Sequence, residues 1–159
     1  MQNFHDSRSY TFLQHLELHA DQIRDEYLNV AHHRSTWHEK ALHNGLWEMV
    51  GLYQFGKWLP AVQACPVTMQ CLQAVPGLFL AGFSVLQPHC RIHPHVGYSN
   101  EVLRSHLGLI CPSPSWIEVG GERYAWKAGE AVVFDDTQLH SAANESDTAR
   151  IVLIADFFR

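Results

Sequence analysis

The chain has 159 residues, which suits one domain with a real core, because a domain of this size buries roughly 70% of its unfolded surface. The composition, 47% hydrophobic and 17% charged, is that of a globular protein and excludes a disordered or fibrous chain. The formal net charge of -5 and the scattered Lys and Arg residues give no basic footprint for nucleic acid or anionic lipid.

The sequence shows no pattern typical of a membrane segment. The first ten residues are polar and contain no apolar core of a secretory signal. The longest nearly apolar stretch, residues 74–86, contains Pro76 and is shorter than the roughly 20 residues that cross a bilayer. We therefore expect a soluble, cytoplasmic protein with no membrane partner. The cysteines form no C-x-x-C pair and are expected to be reduced thiols. They are Cys65, Cys71, Cys90 and Cys111.

The first half of the chain predicts two helices and one strand. Apolar residues recur with helical spacing across residues 9–30. A polar connection follows and ends in a turn at Gly45. Residues 47–55 are rich in side chains that favour strands and predict a strand. A short helix is predicted over residues 65–74, because Pro66 suits the first position of a helix.

Beyond residue 77 short apolar segments alternate with turn residues, a pattern that favours a closed or sandwiched β structure. The predicted strands cover residues 78–87, 103–111, 116–119, 122–126, 131–134 and 151–158. The expected fold class is mainly β with N-terminal helices. We expect a single domain over residues 1–159, with a helical buttress at about 9–75 and a β core at about 47–55 and 78–158.

Two histidines lie at predicted strand margins. His95 precedes a turn at Gly97, and His140 follows the predicted strand 131–134. In a β barrel such margins can face each other across the mouth, where two imidazoles reach one divalent ion. Other histidines occur in helical or loop context without partner spacing and are interpreted as solvated side chains. They are His15, His19, His32, His33, His38 and His43.

The carboxylate of this candidate metal site is not evident in the sequence. A mononuclear iron site for oxygen chemistry usually takes two histidines and one carboxylate, commonly two residues after the first histidine. Gly97 occupies that position. Asp135 or Asp136 could supply the carboxylate, or water could fill the position. Either aspartate could instead brace the turn or accept a hydrogen bond from an iron-bound imidazole or water. The residues alone leave these alternatives open.

These histidines and aspartates belong to a larger set of motifs. The segments are His95-Val-Gly-Tyr-Ser-Asn-Glu-Val-Leu-Arg-Ser-His-Leu-Gly-Leu109, Trp126-Lys-Ala-Gly-Glu130, Phe134-Asp-Asp-Thr137, His140, Asn144 and Arg150. Together they closely resemble the aspartyl/asparaginyl β-hydroxylase family, with similarity over about residues 47–158. The resemblance implies an Fe(II)- and 2-oxoglutarate-dependent oxygenase on a double-stranded β-helix, a jelly-roll or cupin-like core. Family members bind iron with two histidines and no protein carboxylate, and Gly97 agrees with that pattern.

The resemblance also assigns the metal and cosubstrate residues. It makes His95 and His140 the iron ligands. It pairs Arg150 with the distal carboxylate of 2-oxoglutarate, and a planar guanidinium suits a carboxylate because it donates two parallel hydrogen bonds. Ser84 is placed to donate a hydrogen bond to the same cosubstrate. His106 corresponds to the family's histidine in the H-L-G-L segment, which contacts a cosubstrate carboxylate.

The substrate residues are implied in the same way. Arg104 matches an arginine that binds an acidic substrate in the family, and it should share a strand face with His106. Trp47 aligns with an aromatic residue at the pocket edge. The implied reaction hydroxylates an unactivated carbon with O2 and 2-oxoglutarate and releases succinate and CO2. The expected substrate is a small molecule, peptide or protein side chain that resembles Asp or Asn, carries an anionic group and reacts at its β-carbon.

Several other interpretations of these residues remain. Arg150 could form a structural ion pair with Asp135, Asp136 or Glu130, and Trp47 could be a core tryptophan. Three alternatives concern the whole protein. The first is a non-catalytic, cupin-like module that binds zinc or another ion through His95, His106 and His140. The second is a metal-free β-sandwich binding protein. The third is a hydroxylase of lipid acyl chains. Residues near the first proposed ligand could shape specificity. They are His89, His93 and Tyr98.

Overall fold

The computed structural model describes residues 3–97 and 99–159. Its α-helices are α1 (Thr11–Leu18), α2 (Ala20–Val30) and α3 (Pro66–Gln73), accompanied by short 3-10 helices. The helical pattern predicted over residues 9–30 is divided at His19, whose φ of -105° and ψ of 12° depart from helical values. The Glu26 carboxylate on α2 accepts hydrogen bonds from the first turn of α3, at the backbone N–H groups of Val67 (2.9 Å) and Thr68 (2.7 Å). That contact ties α2 to α3.

The strands form two antiparallel sheets. The large sheet has the order β1-β10-β7-β12-β5-β3-β2, with β4 paired to β3, and the small sheet has the order β6-β11-β8-β9. The strands are β1 (Phe4–Asp6), β2 (Ser35–Thr36), β3 (Trp47–Gln54), β4 (Lys57–Trp58), β5 (Leu78–Leu86), β6 (Arg91–His95), β7 (Val102–Ile110), β8 (Ser115–Val119), β9 (Glu122–Tyr124), β10 (Ala131–Phe134), β11 (His140–Asn144) and β12 (Arg150–Phe158). From β5 to β12 the chain passes back and forth between the two sheets. This winding describes a double-stranded β-helix, and the predicted fold class is confirmed.

The large sheet is buried on both faces because its strands alternate between two apolar clusters. Along β12, Ile151 and Leu153 point toward the helices, where they join a cluster with residues of α1, α2 and α3. Val152 and Ile154 point toward the small sheet and pack with Ile117 and other residues of its inner face. Because Arg150 has the same parity as Val152 and Ile154, it also lies between the sheets.

Two of the strands that matter most for the site were not predicted. The segment of β6 contains Pro94 and mostly polar residues, and β11 begins with His140 and contains two small alanines. Neither segment has the apolar alternation on which strand prediction depends. Their pairing with each other, and the pairing of β11 with β8, supplies the hydrogen bonds that hold them in the sheet. No helix in the described part of the chain is long and apolar enough to span a membrane.

Candidate active site

His95 and His140 are direct neighbours in the small sheet. His95 is the last residue of β6, His140 is the first of β11, and the two are partners in the antiparallel register. Their ring centroids are 4.2 Å apart. The expectation that these residues face each other across the barrel mouth is therefore wrong in detail. Their proximity comes from cross-strand pairing, which places both side chains on one face of the sheet.

Both imidazoles are held in the form that can bind a metal. Nδ1 of His95 lies 2.7 Å from the carbonyl oxygen of His93, and Nδ1 of His140 lies 2.8 Å from that of Gln138. A carbonyl oxygen only accepts, so each Nδ1 carries a hydrogen, and in the neutral ring Nε2 keeps a lone pair. Burial lowers the pKa of His140 to about 4, which keeps it neutral at pH 7. Metal-binding histidines commonly have this arrangement, so the pair fits a divalent ion.

Asp136 fills the space that a side chain at residue 97 would need. A Cβ atom added to Gly97 would lie 2.5 Å from Cγ of Asp136, and the Gly97 N–H donates to the Asp136 carbonyl oxygen at 2.6 Å. Asp136 is 5% exposed, and its Oδ1 has no hydrogen-bond partner within residues 3–97 and 99–159. Burial raises the pKa of its carboxyl group. Asp136 is therefore a buried acid at the cleft beside His95.

Asp135 is directed elsewhere. Its carboxylate accepts hydrogen bonds from the backbone N–H and the hydroxyl of Thr137, at 3.0 and 2.6 Å, and forms an ion pair with Arg159. Asp135 therefore braces the turn, one of the alternatives that the sequence left open. Of the two aspartates, Asp136 is the one that lines the cleft with His95.

Arg150 is a buried cation without an anionic partner in the described part of the chain. It is 1% exposed. Its Nη2 donates to the hydroxyl and carbonyl oxygens of Ser84, at 2.9 and 3.0 Å, and its guanidinium lies 4.3 Å from the ring centroid of Trp126. Its Nε has no acceptor among the described residues. Burial lowers the pKa of Arg150 to about 9, so the group remains charged at pH 7. A buried cation is costly unless it is paired, so a bound anion would stabilise this guanidinium.

The structural ion pair considered for Arg150 is not formed with the three acids named for it. Asp135 pairs with Arg159, and Glu130 accepts a hydrogen bond from the hydroxyl of Tyr124 at 2.5 Å. Asp136 lies at the cleft, and no ion pair joins it to Arg150 within the residues that are described. The Nε–H of Arg150 therefore remains the group that an external carboxylate could satisfy.

The Ser84 hydroxyl is prepared to donate a hydrogen bond. Its oxygen accepts from the indole N–H of Trp47 at 3.0 Å and from Nη2 of Arg150 at 2.9 Å. A hydroxyl has two acceptor lone pairs and one hydrogen, so the hydrogen of Ser84 is left for another acceptor. Trp47 is buried and stacks on Trp37, with ring centroids 4.1 Å apart. Trp47 is thus both a packed core residue and a support for the Ser84 oxygen.

His106 has the opposite tautomer from the two candidate ligands. Its Nδ1 accepts a hydrogen bond from the indole N–H of Trp126 at 3.1 Å, so a neutral His106 carries its hydrogen on Nε2. Burial, with the nearby charges of Arg150 and Arg104, lowers its pKa well below the usual value. His106 is therefore a neutral donor. The three-histidine metal site is not supported, because these histidines form no ligand cluster within residues 3–97 and 99–159.

Arg104 lies on the same strand face as His106 and pairs with Asp156. Nε and Nη2 of Arg104 donate to the two carboxylate oxygens of Asp156, each at 2.8 Å. The residues are register partners on β7 and β12, and both are buried. Asp156 was missed in the sequence. The available signal was an acidic residue in the otherwise apolar β12, which requires a buried cationic partner.

The predicted site residues line two adjoining spaces. An inner cavity of about 30 Å³ lies between the sheets, and a cleft of about 340 Å³ lies beside it. Trp47, His95 and Arg104 line both spaces. The inner cavity is large enough for at least one water molecule. It is lined by Ser84, His106, His140 and Arg150 among others.

Of the residues suggested for specificity, His89 and His93 do not line the inner cavity or the cleft. His89 lies at the surface, where its Nε2 is 3.1 Å from Oδ1 of Asp147. His93 contributes its carbonyl oxygen to His95. Tyr98 lies outside the described residues. Trp37 was not predicted, and its buried Nε1 has no acceptor in the described part of the chain.

Comparison with known proteins agrees with this geometry. Residues 17–159 match the sequence profile described as Aspartyl/Asparaginyl beta-hydroxylase. The ornithine lipid ester-linked acyl 2-hydroxylase of Rhizobium tropici is 40% identical over 117 residues, which cover 71% of this chain and 42% of that protein. The aspartate beta-hydroxylase domain-containing protein 1 of Mus musculus is 34% identical over 117 residues, covering 67% of this chain and 32% of that protein. The chain thus spans about a third to two fifths of these relatives.

A solved structure shows the same fold at low sequence identity. The prolyl hydroxylase of Trichoplax adhaerens, solved with a peptide of the hypoxia inducible factor oxygen degradation domain, aligns with a TM-score of 0.61. The alignment covers 87% of this chain and 77% of that one, with 8% identity. At that identity the likeness concerns the fold.

Proposed function

Because the chain belongs to the aspartyl/asparaginyl β-hydroxylase family, we propose that it is an Fe(II)- and 2-oxoglutarate-dependent dioxygenase that hydroxylates an unactivated carbon. Bound Fe(II) supplies the activation of O2, and 2-oxoglutarate supplies the accompanying two electrons. In the balanced reaction, substrate, 2-oxoglutarate and O2 give hydroxylated substrate, succinate and CO2. The part of the protein is to bind, orient and desolvate the reactants.

One observation carries this proposal. Two imidazoles with free Nε2 lone pairs and a buried, charged guanidinium without a carboxylate partner among the described residues line the same inner cavity. The imidazoles of His95 and His140 suit a divalent ion, and the guanidinium of Arg150 suits an anion. A metal-binding module without a cosubstrate would not require the second feature.

The anion-binding groups fit a dicarboxylate. Arg150 would bind one carboxylate through its guanidinium, whose Nε still needs an acceptor. Ser84 would donate its remaining hydroxyl hydrogen to the same carboxylate. The Nε2–H of His106 provides a neutral donor for a cosubstrate carboxylate in the same cavity. Since each of these groups is buried, such hydrogen bonds would be made away from bulk water and would be correspondingly strong.

Asp136 would complete the metal site without a direct bond to the ion. Its unsatisfied Oδ1 suits an acceptor for a water molecule beside the ion. This role agrees with Gly97, because the absent side chain at residue 97 leaves the space in which the Asp136 carboxylate lies.

We propose an Asp- or Asn-like side chain, in a small molecule, peptide or protein, as the substrate, with reaction at its β-carbon. Arg104 is the candidate for holding the anionic group, since it lines both the cleft and the inner cavity. Asp156 already takes two of its N–H donors, so a substrate anion would share the guanidinium with that carboxylate. Asp156 would then act as the group that orients Arg104.

An acyl chain is the second candidate, and the walls of the cleft favour it. Phe55 is 82% exposed and Val96 is 59% exposed, and the same cleft is lined by Phe79 and Leu80. Exposed apolar side chains around a cleft suit an apolar ligand. The similarity to the acyl 2-hydroxylase of Rhizobium tropici also supports an acyl substrate for this chain.

Anaerobic addition of Fe(II) and 2-oxoglutarate tests the proposed reaction. A 2-oxo acid bound to Fe(II) through two oxygens gives a weak visible charge-transfer band, and admission of air should then produce succinate. We expect both signals in the wild-type protein, and we expect Arg150→Met to lose the band at the same cosubstrate concentration. If the wild-type protein gives neither band nor succinate, the dioxygenase proposal is wrong.

A substrate screen then separates the two substrate classes. Acidic amino acids, peptides and acyl substrates are compared for succinate release coupled to a mass gain of one oxygen. With an acidic substrate, Arg104→Ala should impair hydroxylation more than uncoupled consumption of 2-oxoglutarate. Equal losses would count against the proposed role of Arg104. Hydroxylation of acyl chains alone would favour the second candidate.

A further inference from the structure

A second cluster of metal-ligating side chains lies among the helices, on the other face of the large sheet. His15 is on α1, His19 lies between α1 and α2, and Cys71 is on α3. One ligand atom from each of the three lies within 4.8 Å of the other two. Within residues 3–97 and 99–159 this is the one such group of three or more His, Cys, Asp or Glu residues.

The chain fold explains why these side chains meet. Residues four apart on a helix lie on the same side, and the rings of His15 and His19 have centroids 4.6 Å apart. Helix α3 packs against both α1 and α2 and presents Cys71 from more than 50 positions away in the sequence. The sequence interpretation treated His15 and His19 as solvated side chains without partner spacing. It therefore missed the four-residue spacing between them and the approach of Cys71.

His19 is already oriented as a metal-binding histidine. Its Nδ1 lies 2.9 Å from the carbonyl oxygen of His15. Because that oxygen only accepts, Nδ1 carries a hydrogen, and in the neutral ring Nε2 keeps its lone pair. The same arrangement holds His95 and His140 in the active site. A hydrogen bond from the second ring nitrogen to a carbonyl oxygen is the usual support for an imidazole ligand.

We propose that His15, His19 and Cys71 bind a Zn(II) ion that links α1, α2 and α3. Two imidazoles and one thiolate are ligands of the types that zinc takes, and water would complete a tetrahedral set. The cluster is separate from the active site, which contains no cysteine among its proposed ligands. Its sulfur ligand distinguishes it chemically from the histidine pair His95 and His140.

The surroundings of Cys71 are compatible with a cation. Burial and the negative charge of Glu26 raise the pKa of its thiol, so the metal-free thiol stays protonated. A bound zinc ion replaces that proton, since a coordinating thiol is deprotonated by the metal. His15 is exposed and His19 is half-buried, so the ion can reach the cluster from solvent. Zinc at this position would hold together the helices that cover the large sheet.

Titration of the metal-free full chain with Co(II) tests the site spectroscopically. Cobalt replaces zinc in such sites, and a thiolate ligand gives an intense near-ultraviolet charge-transfer band that an imidazole pair does not give. We expect this band in the wild-type protein and its loss in Cys71→Ser. Cys65→Ser is the matched control, because Cys65 is also buried beside α3 and contacts Glu26. That variant should retain the band.

Histidine variants make the test independent of the folding of the cysteine variant. His15→Ala changes an exposed residue, and it should weaken Co(II) and Zn(II) binding by at least about 10-fold, the lower limit for loss of even an outer contact to a metal. His33→Ala, at another exposed histidine pair, should not. Zn(II) should displace Co(II), with loss of the thiolate band, and should raise the melting temperature of the wild-type protein more than that of His15→Ala, in which the histidine pair of the active site is still present.

Three results would overturn the zinc site. They are the absence of a thiolate band in the wild-type protein, an unchanged metal affinity in His15→Ala, and a failure of Zn(II) to displace Co(II). Each result leaves the proposed oxygenase reaction unaffected, because that reaction is measured through succinate.

Discussion

The two sheets of this protein contribute different parts of the site. The small sheet places two imidazoles at strand ends, and each ring is oriented by a carbonyl oxygen only two residues earlier in the chain. The large sheet places Ser84, His106 and Arg150 deep in its interior, and their contacts join residues far apart in sequence. For example, Arg150 and Ser84 are 66 positions apart. The proposed metal ligands are thus oriented by local structure, whereas the proposed anion-binding groups depend on the packing of the whole sheet.

The largest expected effect on activity comes from substituting the two histidines of the small sheet. His95→Ala or His140→Ala removes one of the two proposed imidazole ligands, and hydroxylation and succinate formation should fall to background. In His95→Ala the free energy of unfolding should change little, because His95 is partly exposed at a strand end. Iron binding by equilibrium dialysis and succinate release measure this effect. His93→Ala is the matched control, because His93 contributes a backbone carbonyl oxygen that alanine retains. Wild-type turnover in His95→Ala would remove the metal assignment.

On the large sheet, Arg150→Met should separate cosubstrate binding from metal binding. Loss of a charge-assisted, two-point contact should weaken 2-oxoglutarate binding by about 100-fold, or about 2.7 kcal/mol. Iron affinity should stay close to that of the wild-type protein. The cosubstrate should raise the melting temperature of the wild-type protein but not of the variant, since a ligand stabilises the state that binds it.

The behaviour of Arg150→Met without cosubstrate provides a second measurement. The wild-type side chain is a buried cation with an Nε that lacks an acceptor in the described residues. An apolar side chain of similar length removes that cost. Unfolding by denaturant should therefore show no loss of stability in the cosubstrate-free variant. A large loss would indicate that Arg150 has a structural role, as the ion-pair alternative holds.

The contrast between local and long-range contacts also explains what the sequence could predict. The apolar strands β5, β7, β10 and β12 were predicted within one residue of their ends. The polar strands β6 and β11 were not, because their hydrogen bonds depend on pairing partners and not on their own apolar pattern.

The same limit applies to individual side chains. The resemblance to a family named His95, His140, Arg150, Ser84 and His106, and the structure brings all of them to one cavity. The contacts that these and other side chains make with their neighbours could not be predicted. The pairing of Asp156 with Arg104, the stacking of Trp37 on Trp47 and the approach of Cys71 to His15 follow from tertiary packing alone and have no local sequence pattern.

Ser84→Ala should have an intermediate effect that combines stability and binding. It removes the oxygen that accepts from Trp47 and Arg150, so two buried donors lose a partner. We expect a loss of about 1–3 kcal/mol in the free energy of unfolding, measured by denaturant titration. The dissociation constant of 2-oxoglutarate should rise by roughly 10-fold, the equivalent of one hydrogen bond to a charged group. Ser105→Ala is a suitable control, because Ser105 is equally buried but donates to the carbonyl oxygen of Ala155 outside the cavity lining.

The smallest expected effect concerns the contact between Gly97, which follows β6 of the small sheet, and Asp136, which follows β10 of the large sheet. Gly97 does not have a positive φ, so its backbone accepts alanine, yet the added methyl group would lie 2.5 Å from Cγ of Asp136. Gly97→Ala should therefore displace the Asp136 carboxylate at a cost of about 1 kcal/mol in stability and weaken iron binding to a similar extent. Asp136→Gly alone should also weaken iron binding. In the double variant the methyl group meets no carboxylate, so the two losses should be less than additive. Strict additivity in iron affinity would show that Gly97 and Asp136 act independently. Glycine at residue 97 would then not be required for the position of the Asp136 carboxylate.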